Sequence, residues 1–156
     1  MIKRLRALLV FGLMSAAALQ APAQTAGCPA AADLTAGDLY GLWRLVLWPV
    51  DGRETDPVST GAMLLERHPE YPDSVRGRLR RSGPGPDLEA QVAGDVTDDG
   101  EFNLDESADG QTIDAVWVGD PSDCGRTIRG ERRSAEGRSD GVPALQFLLQ
   151  RSSNPR

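Results

Sequence analysis

The chain has 156 residues, with 17 Lys and Arg against 23 Asp and Glu and a formal charge of −6. That length holds one domain around a single core, and the acidic balance excludes nucleic acid as a partner, since phosphate binding needs a basic surface. One His, two Cys and no Gly-rich phosphate loop leave no ligand set for zinc and no nucleotide cradle, so no cofactor is expected.

Lys3, Arg4 and Arg6 precede an apolar run from Ala7 to Leu19, and Ala21-Pro22-Ala23 supplies a small-x-small pattern before Gln24. The run is shorter than the roughly 18 apolar residues that a membrane-spanning helix needs, and no later segment approaches that length. Residues 1–23 therefore read as a signal peptide, and the expectation is a bacterial periplasmic or secreted protein without a membrane span. Its removal leaves 14 Arg against the 23 acids, a formal charge of −9.

Residues 24–39 are small and polar, with at most one helical turn around Ala30 to Leu34, and read as an N-terminal arm before a domain over 40–152 and a tail over 153–156. Cys28 in that arm and Cys124 are the only cysteines, and export makes a disulfide the natural reading. The bridge would close a loop of about 96 residues and stabilise by about 4–5 kcal/mol in the chain-entropy picture. The alternative for Cys28 is lipid acylation, since Thr25-Ala26-Gly27 has the small residues that such a site wants, with Thr25 where Leu is usual.

From Tyr40 the chain alternates with period two, and Gly, Pro, Asp and Ser interrupt it every 8 to 15 residues. The spacing predicts eight strands: Gly41 to Trp48, Thr60 to Arg67, Val75 to Arg81, Leu88 to Val96, Glu101 to Ser107, Thr112 to Gly119, Thr127 to Arg133 and Ala144 to Arg151. Turn chemistry such as Asp98-Asp99-Gly100 and Asp109-Gly110 joins them. Short links between all neighbours favour an all-β, eight-stranded antiparallel up-and-down β-barrel, which abolishes exposed edges, over a sandwich, which needs a long crossover.

Within the strands Arg76, Arg78 and Arg80 alternate with Val75, Gly77 and Leu79, so the charged rows face water, unlike the apolar wall of an outer-membrane barrel. Trp43, Leu45 and Leu47 share one face, and Ile113, Ala115 and Trp117 share another. A β-branched residue, a spacer and Gly recur at Val75 to Gly77, Val92 to Gly94 and Ile128 to Gly130. These are either inner-face glycines that bend a small closed sheet or coincidence in a chain with 17 Gly.

Tyr40-Gly41-Leu42-Trp43 puts a G-x-W at the start of the first strand, after Asp33-Leu34 and Asp38-Leu39. This opening resembles the calycin group of lipocalins, avidins and small bacterial inhibitors of secreted metalloproteases. The resemblance implies a barrel in which the Trp plugs one end and the Gly lets the N-terminal segment cross it, and it carries over Gly41 and Trp43 alone. It also suggests an inhibitor whose free arm enters a protease cleft, although Cys28 would pin this arm.

Asp95, Thr97, Asp99, Gly100 and Glu106 stand at the spacing of a twelve-residue calcium loop. The flanks are not helical, and Phe102 and Leu104 alternate as strand residues, so the competing reading is a β-hairpin tipped by Asp98-Asp99-Gly100. His68, in His68-Pro69-Glu70-Tyr71-Pro72, has Ser74 nearby but no third member of a triad in view, and reads as a turn residue. Trp43 and Trp117 are candidate ligand-lining aromatics or else packed core, with Trp48 at the rim. The row Arg76, Arg78, Arg80 and Arg81 is a solvated exterior or a grip for an acidic partner. The expected function is a non-catalytic binding module for a small-molecule ligand at the barrel mouth or a protein partner at the loops. The alternatives are an inhibitor of a secreted protease and an enzyme of unknown class.

Overall fold

The computed structural model describes residues 27–83, 86–137 and 143–152, so the expected signal peptide and the 153–156 tail lie outside the described residues. Eight strands follow one another: β1 (Gly41–Pro49), β2 (Ser59–Arg67), β3 (Val75–Ser82), β4 (Leu88–Val96), β5 (Phe102–Ser107), β6 (Ala115–Ser122), β7 (Thr127–Ser134) and β8 (Leu145–Arg151). Each pairs antiparallel with the next, and β1 pairs with β8 from Trp43 opposite Arg151 to Pro49 opposite Leu145, closing the barrel. Closure satisfies the ladder of every strand and leaves no edge for another chain to extend.

Period-two alternation sorts the side chains as the sequence pattern requires. Trp43, Leu45 and Leu47 of β1, Met63 and Leu65 of β2, Phe102 and Leu104 of β5, and Phe147 and Leu149 of β8 point into the lumen and are buried. Arg76, Arg78 and Arg80 stand outside and exposed. The glycine recurrence has a structural cause: a Cβ on Gly77, Gly94 or Gly130 would collide with the carbonyl oxygen of Leu64, Asn103 or Val118 on the neighbouring strand.

Because the strands run up and down, loops alternate between the two ends. The arm crosses the end that carries the β2–β3, β4–β5 and β6–β7 turns. It makes a 3-10 turn (Ala31–Asp33) and then one α-helical turn, α1 (Ala36–Leu39). Leu39 is fully buried in the core and Ala36 nearly so, so the arm is not a mere lead-in: its last four residues are a plug. The Asp38 carboxylate accepts from the Thr35 N–H at 2.8 Å and its hydroxyl at 2.7 Å, which tethers the first turn.

Most strand ends match expectation to within one residue, but one strand start and one side-chain face differ for a local reason. β6 starts at Ala115, three residues late, because Asp109 accepts from the N–H groups of Gln111 and Thr112 at 2.8 and 2.7 Å and Asp114 accepts from the Ala108 N–H at 2.7 Å. These Asx contacts hold residues 108–114 as a loop, so Ile113 is 44% exposed and does not share the lumen face of Ala115 and Trp117. Arg81 likewise leaves the exterior row: it has the parity of Leu79, and its side chain turns inward, only 16% exposed.

Candidate functional site

The two ends of the lumen are built from the same pair of residue types. At the arm end, Trp43 donates its indole N–H to the Leu39 carbonyl at 2.8 Å, and the Arg151 guanidinium lies 5.7 Å from its ring centroid. Arg151 also donates to the Asp38 carbonyl at 2.7 Å and to that of Tyr40, stitching the last strand to the arm. Gly41 has φ +130°, a conformation that a side chain would strain, and it brings the arm beside Arg151.

At the opposite end, the mouth, Trp117 donates its indole N–H to Glu106 Oε2 at 2.9 Å, and the Arg132 guanidinium lies 5.8 Å from the Trp117 ring. Arg132 grips Glu106 with two parallel bonds, Nε to Oε2 at 2.8 Å and Nη2 to Oε1 at 3.0 Å. Arg81 brings Nη2 to 4.0 Å from Glu106 Oε1. Strand register explains the assembly: Trp117 is the direct partner of Arg132, Glu106 is the partner of Ala115, two residues from Trp117, and all three side chains share the lumen face. Burial holds the Arg81 guanidinium below its ordinary pKa, Arg132 adds to the effect, and Glu106 opposes it.

Below this cluster the lumen is full. Trp43, Trp117, Phe102 and Phe147 are all completely buried, and Phe147 meets Trp117 edge-on at 5.1 Å between centroids. The clefts lie on the outer wall instead. One of about 600 Å³ sits over β3 and β4 between the β2–β3 and β5–β6 loops, lined by Glu66, His68, Arg76, Arg78, Gln91 and Thr112 among others. A second of about 610 Å³ adjoins it at Arg78 and runs towards Leu42 and Leu64, which pair across β1 and β2 and are 49% and 41% exposed.

The remaining sequence candidates fall elsewhere. Asp95, Thr97, Asp99 and Glu106 do not converge. Residues 97–101 are a hairpin turn closed by Thr97 and Glu101, Asp95 is on the outer side of β4 opposite Asn103, and Glu106 faces the lumen at the far end of β5. His68 Nδ1 accepts from the N–H groups of Glu70 and Tyr71 at 3.2 and 3.1 Å, which makes it a turn-former. Trp48 is half-buried on the outside, beside the β1–β2 loop that reaches Arg129 through Glu54 at 2.7 Å.

Cys28 and Cys124 form a disulfide, their Cα atoms 4.7 Å apart, so the bridged reading of Cys28 is the one observed. It fixes the arm to the β6–β7 turn, where Asp123 and Cys124 both have positive φ, at 50° and 57°. Leu34 packs against Gly125, and Ala31 and Ala32 lie against Gly100.

These features define a closed, eight-stranded, antiparallel up-and-down barrel with a filled lumen, a disulfide-held arm across one end and an ionic cluster at the other. No family model matches the sequence, and no curated protein matches it either. The disulfide is compatible with an exported protein, as is the finding that no helix among the described residues is long and apolar enough to cross a membrane.

Proposed function

We propose that this chain is an exported, non-catalytic binding module of calycin-like architecture whose barrel is a scaffold and whose main partner is a protein held against the outer wall. The filled lumen carries this reading: four aromatic side chains with no exposure occupy the space that a lipocalin-type ligand would need. The wall supplies what the lumen lacks. Arg76 and Arg78 make no ion pair among the described residues, and two adjoining clefts set them beside the exposed pair Leu42 and Leu64. The calycin-like reading draws support from Trp43, which closes one end of the lumen and donates to the Leu39 carbonyl of the arm, and from the positive φ of Gly41 where the arm enters β1. A protease inhibitor working by arm insertion would need residues 28–39 free, whereas they are bridged to Cys124 and plugged by Leu39.

The test is photo-crosslinking in the exporting cell, with a photoreactive residue placed at Arg78 or, on the far wall, at Arg133. A protein adduct from position 78 and none from 133 is the expected result. An adduct formed only through arm positions 30–33 would favour the inhibitor. A native mass spectrum showing a small molecule of several hundred daltons, released only on unfolding, would overturn the reading.

A further inference from the structure

The mouth holds one arginine more than its carboxylate can serve. Arg132 takes both oxygens of Glu106 through its Nε/Nη2 edge, and Trp117 takes a second place on Oε2. Arg81 offers the same edge and gets little for it: Nη2 stops at 4.0 Å, and Nε is buried without any hydrogen-bond partner. Glu106 is 1% exposed and Arg132 6%, so two guanidinium groups and one carboxylate leave a formal charge of +1 largely cut off from solvent. An unmatched buried donor on an undercompensated cation is costly, and native structures keep few of them. The Arg132–Glu106 fork shows, a few ångströms away, the group that would satisfy it: a planar carboxylate accepting two parallel N–H bonds.

We propose that the Nε/Nη2 edge of Arg81 is a binding site for the carboxylate of a small organic acid entering at the barrel mouth, independent of the outer-wall surface. Arg132, held in place by Glu106, supplies the second positive charge, and Arg81, at 16% side-chain exposure the least buried of the three, offers its Nε/Nη2 edge to the ligand. Trp117 and Phe147 close the lumen beneath, so the head group alone enters. Leu88, the cross-strand partner of Arg81, is half-buried and gives a short apolar tail a surface at the rim. The class is therefore a short-chain monocarboxylic acid rather than a long lipid.

The test uses the mature protein, labelled so that arginine Nε–H resonances are visible, with the Arg81 signal assigned by through-bond correlation to its own backbone. Sodium butyrate is titrated against butyramide and against sodium chloride at matched ionic strength. A saturable shift of the Arg81 Nε–H with butyrate, and with neither control, is expected. Calorimetry should show butyrate binding weakened about tenfold or more in Arg81→Lys, which keeps the charge but loses the fork. No saturable shift, an equal response to chloride, or undiminished binding by Arg81→Lys would each overturn the assignment. The first two readouts use the unsubstituted protein and do not depend on a variant folding.

Discussion

The two ends of the barrel each stack an arginine on a buried tryptophan, at 5.7 Å for Arg151 on Trp43 and 5.8 Å for Arg132 on Trp117, yet they solve different problems. At the arm end the indole and the guanidinium both donate to backbone carbonyls, of Leu39 in one case and of Asp38 and Tyr40 in the other. Those acceptors are neutral and come with the chain itself, so the end is closed and needs nothing further. At the mouth the acceptor is a carboxylate shared among Trp117, Arg132 and Arg81, and it does not suffice for all of them. One residue pair can thus act as a structural latch or leave recognition capacity, depending on whether main-chain acceptors reach it.

The largest effect that separates the ends should come from Trp43→Ala. It empties a completely buried site and releases α1, and chemical denaturation should register a loss of about 4 kcal/mol. Arg132→Met comes next. Removing one partner of a buried pair strands Glu106, for a loss of about 3 kcal/mol or more, whereas combining it with Arg81→Met and Glu106→Leu should recover most of that stability in the same assay. If the triple variant stays as weak as the single one, the mouth cluster is not a self-contained ionic unit.

Replacing both Cys28 and Cys124 with Ser should cost about 3 kcal/mol, within the usual range for a disulfide and below the chain-entropy value for so long a loop. Thermal unfolding with and without reductant would measure it, and the reductant should leave the variant unchanged. The smallest effect belongs to Asp38. Its carboxyl is held below the ordinary range by hydrogen bonds from Thr35 and, after a small opposing effect of burial, by Arg151. A depressed folded-state pKa contributes stability that is complete above the unfolded value near 4 and fades as pH falls through the folded value. Asp38→Asn should therefore lose about 1 kcal/mol or less near neutrality and show a flatter acid limb below about pH 4. An unchanged acid limb would show that α1 is held by Leu39 packing alone.

Strand alternation makes the barrel legible in the residue pattern. The rows at Arg76, Arg78 and Arg80, and at Trp43, Leu45 and Leu47, set which way each strand faces, and eight such strands with short links close on themselves. The same parity places Arg81 with Leu79, Arg132 with Ile128 and Glu106 with Leu104, so the mouth cluster carries a signal: charged residues in register with lumen residues. What hides it is the prior that charge faces water, which treats Arg81 as the end of the exterior row. The plug is hidden differently, since four residues are too short a run for a helical period to declare itself.

By itself the sequence determined the all-β class, the strand count and the side of the sheet to which most residues belong, because these follow from local periodicity and composition, whereas the choice between a bridged and a lipidated Cys28 was left to the structure. Only the tertiary structure decided that residues distant in the chain, Glu106 and Arg132 on one side and Arg81 on the other, meet around one carboxylate. It alone decided that the lumen is packed rather than hollow. Both depend on how far each strand is staggered against its neighbour when the sheet closes, and no segment of the chain encodes that stagger on its own.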